Sequence, residues 1–272
     1  MKFRISADKG KEMRRATRRA SVTLGWILLF PAGLTAQRYS FHLYAREQGL
    51  TNLGTQCLNQ DREGFLWVGT QDGLFRYDGE RFKRFGSGAW RSTEIRAIHQ
   101  AADGTLWAST RRDLLRREGV GFATVNLGDV EFSAASALSS DNHGRLFVAT
   151  SKGLAMVARS AQGANYDVRW ISRAPVASVH VSPNGAVWFG CDLGLCRWDG
   201  QRIATLGEAE RLSPDRWSSL VTDPEGNLWA RSATRLAVLR PGTHTSLTLA
   251  TVFGSFPSHS RPLRVGGAVT HS

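Results

Sequence analysis

Two histidines at matching positions of a sequence repeat are the side chains best suited to chemistry in this chain. His99 and His180 each lie five residues before a recurrent glycine, and Asn59 and Ser139 hold the same position in two further copies. Imidazole binds metals and anions, but a bound metal usually needs three or four ligands. We therefore predict no metal site and no cofactor, and we interpret these four residues as the polar lining of a channel that a ligand can reach.

Acidic pairs suited to acid–base catalysis are also present, as Asp72 with Asp78 and Asp192 with Asp199. They lie in repeat turns and at strand ends, where an aspartate typically accepts hydrogen bonds from the backbone. The chain has no G-x-S-x-G elbow, no phosphate-binding loop and no H-E-x-x-H motif. We therefore predict that the chain has no catalytic residues and is not an enzyme.

Three cysteines bear on the compartment in which the chain works. Cys191 and Cys196 flank the short loop 192–195, and residues facing each other across a hairpin lie close enough for a disulfide. An oxidising compartment would permit this bond. Two states therefore stay open, one with a Cys191–Cys196 disulfide and the other with three free thiols, Cys57 included.

A repeat of about 40 residues organises most of the chain. Five segments align without gaps in their centres, and their glycines are spaced by 40, 40, 41 and 41 residues: Gly64, Gly104, Gly144, Gly185 and Gly226. Each unit reads as a turn, a short apolar strand, a second turn and a further strand, with additional strands at either end. Four short strands per unit predict an all-β fold, a β-propeller with five visible blades and a partial sixth.

The first strand of each unit alternates in character. Six residues before each glycine lie apolar side chains, whereas the positions five and seven residues before it are mostly small or polar. Alternation places these two sets on opposite faces of a strand. We expect the small and polar set to line the central channel, and we expect the recurrent ring of each unit to pack between blades: Trp67, Trp107, Phe147, Trp188 and Trp229.

Charge is concentrated at the N-terminus. The net charge is +12, and residues 1–36 carry 8 Lys/Arg against 2 Asp/Glu, which is half of the excess. The remaining charge is spread thinly, so we exclude nucleic acid as a partner. An arginine-rich segment followed by a short apolar run, Val22–Phe30, is typical of a signal peptide, and we predict that residues 1–36 are a leader for a periplasmic or secreted protein.

The segment from Gly49 to Phe85 closely resembles the two-component regulator propeller repeat. It matches that family's pattern of a G-L-T-N start, D-x-x-G-x-L-W-x-G-T and G-L-x-R-Y-D-G, and the fourth copy matches well from Gly194 to Gly200. The resemblance implies seven-bladed propellers in the periplasmic half of bacterial membrane sensors, which act as dimers. It also implies a transmembrane helix and an output domain, such as a histidine kinase or a diguanylate cyclase, that we expect this chain to lack.

The domain organisation follows from the leader, the repeats and this resemblance. We predict a signal peptide at 1–36, five blades of an incomplete ring at 37–240, and a partial sixth blade or disordered tail at 241–272. The expected function is the sensing of an extracellular ligand, for which a carbohydrate is one candidate. The alternatives are a secreted propeller enzyme resembling streptogramin lyases and an interaction scaffold. Membrane contact is expected only through an uncleaved leader or the C-terminal part that this chain lacks.

Overall fold

The computed structural model describes residues 42–86, 93–119, 121–132, 136–161, 163, 165–206, 212–241 and 246–249. The predicted signal peptide and residues 250–272 of the predicted tail lie outside these residues. Apart from a short 3₁₀ turn at Arg46–Gln48, the described regular structure consists of strands. Within it, no helix has the length and apolar character needed to cross a membrane.

Twenty strands form five antiparallel sheets of four, each in simple chain order. Blade 1 holds β1 Thr55–Gln60, β2 Leu66–Thr70, β3 Gly73–Tyr77 and β4 Phe82–Phe85; blade 2 holds β5 Ala97–Gln100, β6 Leu106–Ser109, β7 Leu114–Glu118 and β8 Gly121–Val125. Blade 3 holds β9 Leu138–Ser140, β10 Leu146–Thr150, β11 Gly153–Arg159 and β12 Tyr166–Ser172. Blade 4 holds β13 Val176–Val181, β14 Val187–Cys191, β15 Gly194–Trp198 and β16 Ile203–Leu206; blade 5 holds β17 Ser219–Thr222, β18 Leu228–Arg231, β19 Leu236–Leu239 and β20 Ser246–Leu249.

The blades form a five-bladed β-propeller, which confirms the fold class predicted from the repeat. Consecutive blades contact one another through their first strands, β1 with β5, β5 with β9, β9 with β13, and β13 with β17. The fourth strand of the last blade, Ser246–Leu249, lies beyond residue 240, where the sequence pattern places the end of the five blades. Residues 246–249 therefore belong to blade 5.

An aspartate opens the turn in blades 1, 3 and 5 and has a structural task, which blade 1 shows most completely. One carboxylate oxygen of Asp61 accepts the backbone N–H of Phe65 at 2.9 Å, and the other accepts the indole N–H of Trp67 at 2.7 Å. Gly64 takes a positive φ of 90°, a conformation that glycine adopts without strain. The D-x-x-G-x-L-W pattern is thus a turn whose first residue also holds the buried ring of the following strand.

The same turn tolerates substitution in other blades. In blade 5, Asp223 accepts the indole N–H of Trp229 at 2.7 Å. In blade 3 the ring is Phe147, which has no N–H to donate, and the Arg145 guanidinium takes its place on Asp141 at 2.6 Å. The carboxylate therefore keeps a charged or polar donor even where the tryptophan is absent.

The recurrent aromatic ring packs between blades, as expected, in the first three blades. Trp67, Trp107 and Phe147 are at most 2% exposed, and each belongs to a core cluster that includes residues of the next blade. The ring of Trp67 also lies beneath the guanidinium of Arg117 from blade 2, with 5.4 Å between that group and the ring centroid. Trp188 and Trp229 are only half-buried.

Each blade has a leading face, which turns toward the preceding blade, and a trailing face, which turns toward the following one. Cys57 Sγ lies 3.7 Å from the carbonyl of Ile95 in the next unit, and Ser178 Oγ donates to the carbonyl of Trp217 at 2.7 Å. The small and polar positions of the first strand therefore lie on the trailing face. The apolar positions lie on the leading face, where Ile98 packs in one cluster with Cys57.

Candidate ligand-binding site

A polar pocket of about 460 Å³ opens at the turn end of blades 3, 4 and 5. Its walls are the turns at 141–145 and 182–185, and its floor is formed by the ends of the first strands. Residues that line it include Ser140, His143, Arg145, His180, Ser182 and Thr222. Pockets that bind small molecules commonly measure about 300–1,000 Å³, so this one is large enough for such a ligand.

One position of the first strand carries a shorter side chain in the blades that form the pocket. Four residues before the repeat glycine, blades 1 and 2 carry Gln60 and Gln100, whose side-chain amides donate to the carbonyls of Gly64 and Gly104 at 3.2 and 3.1 Å. The amide oxygen of Gln100 also accepts the backbone N–H of Arg62 at 2.9 Å, so this side chain connects the turns of blades 1 and 2. The same position holds smaller residues in the last three blades: Ser140, Val181 and Thr222.

Hydrogen bonds between blades organise the floor of the pocket. His180 Nε2 lies 2.8 Å from Thr222 Oγ1 of blade 5, and Ser182 Oγ lies 3.2 Å from the same hydroxyl. His99 Nε2 of blade 2 lies 2.8 Å from Ser140 Oγ of blade 3. Two of the hydroxyls that line the pocket, those of Ser140 and Thr222, are therefore held by imidazoles of the preceding blades.

The pocket is lined by polar groups and carries little uncompensated charge. Burial lowers the pKa of His99 to about 4, with a smaller contribution from the nearby His180. Burial also lowers the pKa of His180 below its ordinary value. Both imidazoles are thus uncharged at neutral pH, and the Arg145 guanidinium is paired with the buried Asp141 carboxylate at 2.6 Å. Such a lining favours a ligand that is polar but carries no net charge.

The four residues predicted to contact a ligand all lie on the trailing faces of first strands. Ser139 Oγ accepts the backbone N–H of Val181 at 2.9 Å. Within the described residues the side-chain oxygen of Asn59, in blade 1, is buried and has no hydrogen-bond partner. Of the four, His180 lines the pocket itself, and His99 supports it through Ser140. Their contact with a ligand stays a prediction.

Apart from His180, the residues that line the pocket were not identified from the sequence, and three of them carry hydroxyls. Ser140, Ser182 and Thr222 contribute hydroxyls to the pocket, yet their positions were not among those compared along the first strand. The signal that identifies two of them is the change from glutamine in blades 1 and 2 to serine and threonine in blades 3 and 5. Ser182 stands where the turn aspartate of other units stands, and its smaller side chain also widens the pocket.

Two of the acidic residues considered for catalysis, Asp78 and Asp199, serve turns, and the carboxylate of Asp72 pairs with the Arg84 guanidinium at 2.6 Å. Asp78 accepts the backbone N–H groups of Glu80 and Arg81, and Asp199 does the same for Gln201 and Arg202. The Lys83 side chain, together with these backbone N–H groups, lowers the pKa of the Asp78 carboxyl, and the backbone N–H groups lower the pKa of the Asp199 carboxyl. Over the described ranges, no three His, Cys, Asp or Glu side chains are grouped as a metal ion would require.

The structure joins Cys191 and Cys196 in a disulfide across the β14–β15 hairpin, with 5.8 Å between their Cα atoms. This hairpin lies at the opposite end of blade 4 from the pocket, because β14 runs away from the turn at 182–185. Cys57 is free and buried, and burial raises the pKa of its thiol to about 12. The disulfide is thus the redox-sensitive feature, and it lies far from the candidate site.

Thiol titration should distinguish the two cysteine states that the sequence left open. Because Cys57 is buried and protonated at neutral pH, and the thiolate is the reactive form, we expect no rapid reaction in the native protein. After denaturation without reductant, one thiol per chain should react, and three should react after reduction. The Cys57→Ala variant is the matched control: it should show no reactive thiol after denaturation without reductant and two after reduction. Three reactive thiols in unreduced, denatured protein would contradict the disulfide.

Fold and site together define a β-propeller with a ligand-sized polar pocket between blades. The first blade carries a two-component regulator propeller repeat, since the model of that family matches residues 49–72. The family resemblance expected from the sequence is therefore confirmed at this repeat. No curated protein matches the sequence.

Solved structures share the fold at low sequence identity. Virginiamycin B lyase from Staphylococcus aureus, in a catalytically inactive form with quinupristin, is 12% identical with a TM-score of 0.62, covering 82% of this chain and 77% of the lyase. The extracellular domain of BT4673 from B. thetaiotaomicron, assigned to a one-component system, is 17% identical with a TM-score of 0.60. That match covers 72% of this chain but only 28% of the larger domain. PorZ of Porphyromonas gingivalis is 16% identical with a TM-score of 0.52, covering 72% of this chain and 33% of PorZ.

Proposed function

We propose that this chain is the extracytoplasmic ligand-binding propeller of a bacterial signalling protein and that it binds its ligand without transforming it. The observation that carries the proposal is the pocket between blades 3, 4 and 5, in a propeller whose first blade is a two-component regulator repeat. The similarity to an extracellular sensor domain and the arginine-rich leader support a location outside the cytoplasm. Sequencing the N-terminus of the exported protein tests this location, and we expect cleavage near Ala36. An uncleaved product in the cytoplasm would contradict the proposed location.

The chemistry of the lining supports a neutral carbohydrate as the ligand. Hydroxyls from Ser140, Ser182 and Thr222 and an uncharged imidazole from His180 offer both donors and acceptors. The positive charge of Arg145 is already matched by Asp141, so an anionic ligand gains little here. A sugar presents hydroxyls that pair with such a lining without bringing a charge out of water.

Binding of neutral oligosaccharides tests this proposal. Calorimetric titration with gluco-, xylo- and manno-oligosaccharides should show saturable binding of at least one series, and inorganic phosphate should not compete. The His143→Ala and Thr222→Val variants should each weaken binding about tenfold, as expected when one polar contact is lost. Glu63→Ala is the matched control, because Glu63 holds in blade 1 the turn position of His143 and lies outside the pocket. Binding that the pocket variants leave unchanged would contradict the proposal.

The lyase alternative makes a different prediction that one assay can decide. A catalytic histidine is expected to have an acidic partner that orients it. His180 instead bonds to the hydroxyl of Thr222, and the carboxylate of Asp141 is occupied by Arg145 and by turn amides. We therefore expect quinupristin to be recovered intact, by mass spectrometry, after incubation with the protein with or without divalent cations. Its linearisation by the wild-type protein and not by His180→Ala would favour the enzyme.

A further inference from the structure

The four internal junctions between blades share an apolar contact at the first strand, and three of them add a polar contact. On each leading face, the first strand presents an apolar side chain that the preceding blade buries to between 3 and 7% exposure: Ile98, Leu138, Val179 and Leu220. On three trailing faces, a polar side chain bonds to the blade that follows: His99, Ser139 and His180. A leading face and a trailing face of this chain are therefore complementary surfaces by construction.

The two terminal blades leave the equivalent positions exposed. Leu58, on the leading face of blade 1, is 61% exposed, although its four counterparts are nearly fully buried. Val221, on the trailing face of blade 5, is 56% exposed. Farther from the axis, Leu50 packs with Val68 and Phe75 and covers the leading face of blade 1. The apolar surface that blade 1 leaves accessible on this face is thus at its first strand. Leu53, just before this strand in sequence, is 59% exposed.

The chemistry of Val221 indicates what covers it. In blades 1 to 4 this position is polar, and in blades 2 to 4 it hydrogen-bonds across the junction. A valine needs no such partner, so an apolar surface can cover it without burying an unpaired polar group. Leu58 is an exposed apolar side chain on the leading face of blade 1. The leading faces of the other four blades each dock against the trailing face of the preceding blade.

We propose that the trailing face of blade 5 docks the leading face of blade 1 from a second copy of this chain. The contact continues the internal blade junction between molecules, with Val221 of one copy against the Leu58 surface of the next. It is a head-to-tail contact, in which the two copies use different surfaces. Each copy therefore keeps one face free to accept a further copy.

A complementation experiment tests the head-to-tail geometry. Sedimentation velocity of the purified chain should show association that grows with concentration. Leu58→Asp and Val221→Asp should each weaken self-association by at least about tenfold, because each places a charge at the contact. Mixing the two variants should restore a one-to-one dimer, since each retains the surface that the other has lost. This dimer should not extend, because its remaining faces both carry aspartate.

Controls separate this contact from general stickiness or misfolding. Leu193→Asp alters an exposed leucine, 57% exposed, at the hairpin tip of blade 4 and should associate like the wild type. All three variants should retain the circular dichroism and melting temperature of the wild type, since each replaced side chain is exposed. A wild-type chain that stays monomeric, or two variants that fail to pair when mixed, would overturn the proposal. Association that survives in both single variants would overturn it as well.

Discussion

Replacing Trp67 with alanine should lower the free energy of unfolding by about 4 kcal/mol, the typical cost of removing a buried tryptophan. The ring is fully buried in the cluster shared by blades 1 and 2, where it packs with Leu74 and Ile98. Its indole N–H also donates to the buried carboxylate of Asp61, so truncation removes one of the donors to that charge. Equilibrium urea denaturation followed by far-ultraviolet circular dichroism measures the loss.

Trp229→Ala is the matched control for Trp67→Ala. Trp229 holds the same repeat position and makes the same hydrogen bond, to Asp223, but it is only half-buried. Its removal should therefore cost clearly less than the removal of Trp67. If both variants lose the same free energy, burial between blades is not what makes the recurrent ring important.

Lowering the pH from 7 to 4 should destabilise the fold through His99. Its pKa is about 4 in the folded protein, against an ordinary value of 6.5, because burial disfavours the charged imidazole. A depressed pKa means that the unfolded chain binds the proton more readily. The free energy of unfolding therefore keeps the full contribution of the neutral His99 side chain above pH 6.5. It loses up to about 3 kcal/mol of that contribution as the pH falls toward 4. The lowered pKa of His180 acts in the same direction.

The His99→Gln variant isolates this contribution. Glutamine can still bond to Ser140 but does not titrate, so the difference in unfolding free energy between pH 7 and pH 4 should shrink. His143→Gln, which replaces an exposed histidine and leaves the contact between His99 and Ser140 intact, is the matched control. Carboxyl groups with lowered pKa values, such as Asp223, lose their contribution only as the pH falls below about 3.8, which separates the two effects. An unchanged pH dependence in His99→Gln would contradict the account.

The fold was predictable because each repeat contains the local sequence signals of its turns and strands. The glycines and turn aspartates define where each first strand ends, and the apolar runs after them define the second strand. The roles of Asp61 and Trp67 follow from these patterns, since a turn aspartate and a buried indole are six residues apart and meet in the structure. The boundary of blade 5 was placed too early. Leu247 and Leu249 alternate with polar residues as in a strand, but they follow a Pro-Gly segment at 241–242 that interrupts the repeat pattern.

The site was harder to predict because it lies between blades. His180 was identified from its repeat position, but its partner Thr222 belongs to the next blade, and pairing along one strand does not reveal contacts between sheets. Ser140 and Thr222 of the pocket stand where blades 1 and 2 carry Gln60 and Gln100, so the position stays polar and uncharged while its side chain becomes smaller. Looking for reactive side chains in the sequence does not reveal a repeat position where the side chain becomes shorter.

Hydrogen–deuterium exchange with and without bound oligosaccharide tests the central claim most directly, because it reports where a ligand acts. With a saturating neutral oligosaccharide, protection should concentrate in peptides spanning 138–145 and 178–185, which form the two walls of the pocket. The equivalent turn of blade 1, residues 60–65, and the disulfide hairpin at 190–196 should exchange at unchanged rates. Protection at either of those two segments and none at the pocket walls would contradict the account.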